Sequence, residues 1–272
     1  MTLLNNIFWI ADPFYLVAEG LSLLLLITAV LHFVQQLLFR LMPKTLGKKS
    51  IAVSAVIGAP VHELSHAFFC LLFGHKIKKI VFFAHDGFTT LGYVTHSYNN
   101  RNPWQVIGNF VIAIAPVLGG IFTIYLLTVL LLPSGKQLFL LFSDNSQKHI
   151  TEFSLPGVLS ICKGVWLLIQ QDYLASPFKL FFWCYLCGSI CLHLCPSRED
   201  LKGSGAGFSF VLLLLLIMSA LFNYFGLTFL TQIFHWVSPI VMLYGLSVFI
   251  VLLLVLLVVA SAGLKLILGY RS

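Results

Sequence analysis

The sequence predicts an all-α polytopic membrane protein with about six transmembrane helices and a small membrane-associated β-hairpin. Of the 272 residues, 59% are hydrophobic and only 9% are charged, whereas soluble proteins carry about 25% charged residues. The mean hydropathy is +0.98, and the apolar residues are clustered in runs that approach the roughly 20 residues needed to span a bilayer. These observations exclude an ordinary soluble enzyme, a disordered regulator and a disulfide-rich secreted domain.

Six apolar runs are predicted as spans, and they divide the chain into three parts. Residues 1–48 form a first helix with a basic loop, residues 49–205 a central core, and residues 206–272 a terminal helix pair. An amphipathic segment over residues 157–175 is expected to lie at the membrane interface. The predicted spans are Phe14–Phe39, Ile51–Phe73, Val106–Leu132, Phe178–Cys195, Phe208–Phe229 and Pro239–Gly263.

The basic residues do not indicate nucleic-acid binding. The net charge is +7, but the sixteen Lys and Arg residues are scattered through loops, where they serve topology and contact with lipid headgroups. The expected location is therefore the membrane, as a multi-pass integral protein (the cell membrane in a prokaryote), with the lipid bilayer as a partner.

The second predicted span contains the motif His62-Glu63-Leu64-Ser65-His66. On a helix, two histidines four residues apart lie on one face and can bind the same Zn²⁺. Glu63 lies beside them, where it can serve as the base that activates a zinc-bound water. Three ionisable groups within one membrane helix are costly unless they bind something, so the motif predicts a hydrolytic zinc site.

A hydrolytic zinc site generally has three protein ligands and one open position, so a third ligand is needed. From the residues alone the candidates are Asp200, Glu152, His85, His96 and His193. Asp200 follows Pro196, which is expected to break the fourth span and turn the chain. Residue spacing alone leaves Asp200 either as a ligand or as a solvated loop residue.

The segment Val61–Val81 resembles the site-2 protease family of intramembrane zinc metalloproteases. The resemblance covers roughly residues 50–205 and includes Ala115-Pro116-Val-Leu-Gly119-Gly120 and His193-Leu-Cys-Pro196 followed by Asp200. It implies that His62, His66 and Asp200 bind zinc and that Glu63 is catalytic. It also implies a membrane-spanning or membrane-tethered protein as substrate.

The chain departs from the family pattern at three points. The family's Asp-Gly pair is here Asp200-Leu-Lys-Gly203, one residue closer to the preceding proline, and no loop is long enough for a PDZ domain. His193 stands where the family has an asparagine. The resemblance therefore makes His193 a candidate contact for the substrate or the oxyanion.

Lys76–Tyr98 reads as two short strands around Asp86-Gly87, a strong hairpin signal. A hairpin near the zinc could bind an unwound substrate by strand addition, or it could simply lie at the interface. Four cysteines follow a single helical stripe, which is typical of helix packing more than of a second metal site. They are Cys184, Cys187, Cys191 and Cys195.

Two other functions remain open at this level. In one, the layout is similar to that of the membrane zincins that process prenylated proteins, with Glu152 or Glu199 as third ligand. In the other, the chain is a metal-binding scaffold or transporter-like relative without turnover. An intact Glu63 argues against the second, because metal binding alone needs no general base.

Overall fold

The computed structural model describes residues 44–83, 92–141 and 155–224, together with residues 29, 33 and 36. The described chain is mostly helical with one two-stranded sheet. Its elements, in order, are α1 (Lys44–Leu72), β1 (Lys76–Val81), β2 (Tyr93–Ser97), α2 (Pro103–Ala113), α3 (Ala115–Leu131), α4 (Leu155–Ala175), α5 (Pro177–Cys191), α6 (Arg198–Leu201) and α7 (Gly205–Tyr224).

The prediction of about six transmembrane helices is wrong. Within the described ranges, the segment Ala52–Leu72 of α1 has 21 residues and is long and apolar enough to cross a membrane. The pair α2 and α3 qualifies only if the two helices count as one span, and they are bent by 61°. The described chain thus has one or two candidate spans.

Helix length and helix breaks explain the difference. Helix α5 has 15 residues, which gives a length of about 22 Å against a hydrocarbon core of roughly 30 Å. The apolar stretch Gly205–Met218 of α7 is also short. Pro116 lies in the first turn of α3, where the missing N–H and the ring prevent α2 from continuing straight. Apart from residues 29, 33 and 36, the predicted spans Phe14–Phe39 and Pro239–Gly263 lie outside the described residues.

The two strands of the predicted hairpin are confirmed. β1 and β2 pair antiparallel, from Lys76 opposite Ser97 to Val81 opposite Tyr93, with an irregularity between Ile77 and Lys79. The turn residues Asp86 and Gly87 lie outside the described residues. The sheet packs against α1, so the strands lie beside the helix that carries the HExxH motif.

Helix α1 packs against α3 and α5, and the core lies where these helices meet α4. Its largest fully buried side chains include Trp183, Ile124, Ile190 and Leu194. The indole Nε1 of Trp183 donates to Oγ1 of Thr128 at 3.0 Å, so the one polar atom of the ring is satisfied within the core. This packing fixes α1 against α5 and the segment that follows it.

A buried carboxylate joins α4 to the connection that follows α3. Asp172 has no exposed surface, and its two oxygens accept hydrogen bonds from the backbone N–H of Ser134 at 2.9 Å and from its Oγ at 2.6 Å. Ser134 precedes a helical stretch over residues 135–141. Asp172 therefore provides the acceptors that this buried turn needs.

Replacing Asp172 by Ala is expected to destabilise the fold by about 1–3 kcal/mol, because two buried donors lose their acceptor. The measurement is the free energy of unfolding of the full chain in detergent. Glu199→Ala is the matched control, because Glu199 is 82% exposed and exposed changes are usually within about 0.5 kcal/mol of neutral. Equal effects of the two substitutions would contradict a structural role for Asp172.

Candidate metal centre

The two histidines of the HExxH motif point their Nε2 atoms at a common point. Nδ1 of His62 donates to the carbonyl oxygen of His193 at 2.6 Å, and Nδ1 of His66 donates to the carbonyl oxygen of Ile112 at 2.8 Å. Because a carbonyl can only accept, each neutral ring carries its proton on Nδ1 and its lone pair on Nε2. The two Nε2 atoms lie 3.2 Å apart.

Asp200 completes the convergence. Its Oδ2 lies 3.6 Å from Nε2 of His62, and its Oδ1 lies 3.3 Å from Nε2 of His66. Ligand atoms around a tetrahedral Zn²⁺ lie about 3.3–3.4 Å apart when the ligand distances are about 2.0–2.1 Å. The three side chains therefore form a group that could hold a metal ion between them.

A capping box on the short helix α6 positions Asp200. The backbone N–H of Ser197 donates to Oδ2 of Asp200 at 2.7 Å, and the backbone N–H of Asp200 donates to Oγ of Ser197 at 3.1 Å. After α6, Gly203 adopts a φ of +77°, and its carbonyl accepts a hydrogen bond from Nδ2 of Asn109 at 2.9 Å. The segment Asp200–Gly203, which replaces the family's Asp-Gly pair, thus forms the end of a short capped helix and is hydrogen-bonded to α2.

Asp200 is held in its ionised form. Burial alone would raise its pKa. When the two rings are protonated, hydrogen bonds from His62 and His66 and charge attraction from His66, together with the hydrogen bond from Ser197, outweigh burial. The pKa of this carboxyl therefore lies well below its ordinary value. An ionised carboxylate is the form that binds a metal.

Glu63 lies next to the converging atoms and is only 5% exposed. The chain entering β2 passes directly over it: a Cβ added to Gly92 would lie 2.8 Å from Oε1 of Glu63 and 2.7 Å from the carbonyl oxygen of Val81. Only glycine allows this approach. The hairpin backbone and the Glu63 carboxylate therefore border the same space.

The structure gives His193 a contact different from the one that the resemblance implies. Its backbone carbonyl orients His62, and its Nδ1 donates to the carbonyl oxygen of Ser189 at 2.9 Å. The ring lies against Gly58 of α1, where a Cβ would collide with it. An oxyanion contact through the ring stays a prediction, while the observed contact is the hydrogen bond from Nδ1 of His62 to the backbone carbonyl of His193.

Glu199 and His96, two of the other candidate third ligands, make different contacts. Glu199 is exposed and lies 3.6 Å from Nζ of Lys202, and His96 lies on β2 with Nδ1 3.0 Å from Nδ1 of His75. His85 and Glu152 are outside the described residues. Among the described candidates, Asp200 is the one that joins the two histidines.

Sequence reasoning missed a second group of side chains, formed by Cys70, His75 and His96. Their ligand atoms all lie within 4.8 Å of one another. The available signal was the spacing of Cys70, one helical turn beyond His66 on the same face. The approach of β2 to the end of α1 could not be read from spacing.

The lowered pKa values of His75 and His96 predict that the stability of the fold decreases in acid. Burial, with the nearby His75 and His66, lowers the pKa of His96 to about 4, against about 6.5 in the unfolded chain. Between pH 6.5 and 4 the unfolded state binds a proton that the folded state does not, so stability falls as the pH falls through this window. Burial lowers the pKa of His75 as well.

The free energy of unfolding of chelator-treated protein is therefore expected to decrease from pH 7 to pH 4, and less steeply in His96→Gln. Unfolding each protein at a series of pH values in one detergent gives its free energy of unfolding as a function of pH. The slopes of the two curves are compared, because the substitution also changes packing and so shifts the whole curve. Parallel curves for the two proteins would contradict the assignment.

Comparisons of this chain with protein-family models, with curated proteins and with solved structures found no match.

Proposed function

We propose that the chain is a zinc metalloprotease that hydrolyses peptide bonds of membrane-spanning or membrane-tethered proteins. The observation that carries the proposal is the convergence of His62 Nε2, His66 Nε2 and the Asp200 carboxylate beside a buried Glu63. The resemblance to the site-2 proteases includes these residues among its motifs. When bound, zinc supplies Lewis-acid chemistry that lowers the pKa of water and polarises a carbonyl.

Each residue of the centre has a distinct task in this reaction. His62, His66 and Asp200 would hold the zinc, and the carbonyls of His193 and Ile112 fix the orientation of the two rings. Such supporting hydrogen bonds commonly account for 10- to 100-fold in metal affinity or activity.

Glu63 performs the proton transfers. It takes a proton from the attacking water as the oxygen bonds to the peptide carbonyl carbon, and it gives that proton to the leaving nitrogen as the C–N bond breaks. Because Glu63 is buried and bordered by Gly92, little bulk water competes for this proton. A scaffold that only bound metal would have no use for a buried carboxylate here.

The surface of α1 supports a site at membrane depth. The exposed side of the helix is apolar and includes Val56, Leu64, Phe68 and Leu71, of which Leu71 is 70% exposed. The buried side carries Glu63 and His66. A helix with lipid-compatible residues outside and ionisable residues inside is the arrangement in which a membrane protein keeps a functional site.

The hairpin supports an extended substrate. In the described part of the sheet, β1 and β2 each pair on one side, which leaves backbone donors and acceptors for an added strand. A membrane helix hides its carbonyls in internal hydrogen bonds, so a protease needs a way to hold an unwound segment. The end of the sheet where Val81 pairs with Tyr93 adjoins Gly92, which borders Glu63.

The experiment is cleavage of a single-span membrane peptide by the purified full chain in detergent. We expect chelation to abolish cleavage and added zinc to restore it. The matched comparison is the same peptide with charged residues in its apolar segment, which we expect to be a poorer substrate. Zinc-loaded protein that cleaves no peptide of a broad membrane panel would favour the metal-binding scaffold instead.

A further inference from the structure

The end of α1 and the hairpin bring together a second set of metal-binding side chains. Cys70 lies in the last turns of α1, His75 follows the turn at Gly74, and His96 lies on β2. Nδ1 of His75 is 3.0 Å from Nδ1 of His96, and the ligand atoms of all three residues lie within 4.8 Å of one another. The three residues come from three different segments.

The hydrogen bonds of His75 leave it in the form that binds a metal. Its Nε2 lies 2.8 Å from the carbonyl oxygen of Gln105, and because a carbonyl only accepts, Nε2 carries the proton. The lone pair of the neutral ring is then on Nδ1, which faces His96. This is the same device, a ring N–H held by a backbone carbonyl, that orients His62 and His66.

The surroundings hold the group in place. Cys70 has no exposed surface and His75 is 4% exposed, while Tyr98 stacks on the His75 ring at 5.0 Å between centroids. The backbone N–H of His75 donates to the backbone carbonyl oxygen of Cys70 at 2.8 Å. The side-chain N–H of Gln105 donates to the carbonyl oxygen of Gly74 at 2.9 Å, so the turn between Cys70 and His75 is fixed from both sides.

We propose that Cys70, His75 and His96 bind a second divalent transition-metal ion, of which zinc is the best match. A thiolate and two imidazoles suit a borderline-soft ion and exclude Mg²⁺ and Ca²⁺, which prefer oxygen ligands. The ion would join the end of α1 to β2. Since the chain entering β2 passes over Glu63, this second ion fixes the strand that borders the catalytic carboxylate.

The test is an anaerobic cobalt titration of chelator-stripped full-length protein in detergent. Cobalt bound to a thiolate gives a near-ultraviolet charge-transfer absorption, and the His62–His66–Asp200 centre contains no thiolate. We expect wild type to bind two equivalents, one of which brings this absorption. Cys70→Ser is expected to lose the absorption and one equivalent, and Cys162→Ser, which changes an exposed cysteine, is expected to keep both.

Two further variants separate this proposal from the proposed function. Asp200→Ala is expected to keep the thiolate absorption, so its loss of the other equivalent bears on the catalytic centre alone. His96→Gln leaves Cys70 intact and is also expected to lose the second equivalent. It therefore tests the site independently if Cys70→Ser fails to fold. Saturation of wild type at one equivalent without thiolate absorption overturns the proposal, and so does an absorption that survives Cys70→Ser.

Discussion

Replacing Glu63 by Gln is expected to reduce peptide cleavage by about 10²- to 10⁴-fold, the contribution typical of a positioned general acid–base. The amide has nearly the shape of the carboxylate but cannot accept the proton of the attacking water. Because Glu63 is not one of the three converging groups, zinc content should stay at the wild-type value. The measurement is the cleavage rate of the membrane peptide at saturating zinc, with metal analysis of the same samples.

Glu199→Gln is the matched control for this substitution. Glu199 directly precedes Asp200 in the sequence, but its side chain is 82% exposed and lies 3.6 Å from Nζ of Lys202. We expect its cleavage rate to equal that of wild type. A Glu63→Gln protein that cleaves as fast as the control would remove Glu63 from the mechanism.

Replacing Asp200 by Ala is expected to lower zinc affinity at the His62–His66 centre by more than about 100-fold. Loss of a group that only orients a ligand costs about 10–100-fold, and Asp200 would be a ligand itself. Activity should fall in parallel and recover only partly at high zinc. A chelator competition titration gives the affinity for each variant.

Glu199→Ala and Glu152→Ala complete this comparison. If the layout were that of the prenyl-protein zincins, one of these two substitutions would release the zinc and Asp200→Ala would retain it. We expect the reverse. An Asp200→Ala protein with wild-type zinc affinity would contradict the assignment, whatever its activity.

The local part of the site could be predicted from sequence because helix geometry fixes it. Once His62, Glu63 and His66 lie on one helix, their common face follows from the spacing, and α1 confirms the helix. The two strands of the hairpin were predictable for a similar reason, since a compact turn signal joins two strand-forming runs.

The non-local part of the site depended on contacts that residue spacing does not encode. The orienting carbonyls of His193 and Ile112 are backbone groups that any residue would supply. The meeting of His75 and His96 across 21 residues requires the antiparallel register of β1 and β2. Asp200 was predicted as a ligand through family resemblance alone, because residue spacing left it open.

The span count was wrong because hydropathy counts apolar residues without regard to how a helix runs. Residues 103–131 are apolar enough for one span, yet the chain bends by 61° around Ile114. Helix α5 ends at Cys191, short of Pro196. The non-helical segment that follows this early end contains His193 and leads to Asp200. The helix that is too short to span is therefore the one that precedes the proposed third ligand.

The most direct test of the zinc centre is the position of zinc in the full-length protein, located by anomalous diffraction at the zinc absorption edge. We expect a peak within about 2.0–2.2 Å of His62 Nε2, His66 Nε2 and one oxygen of Asp200, with Glu63 outside this set. A zinc peak at His62 and His66 whose third protein ligand is any residue other than Asp200, or the absence of zinc between these histidines in zinc-loaded active protein, would contradict the account.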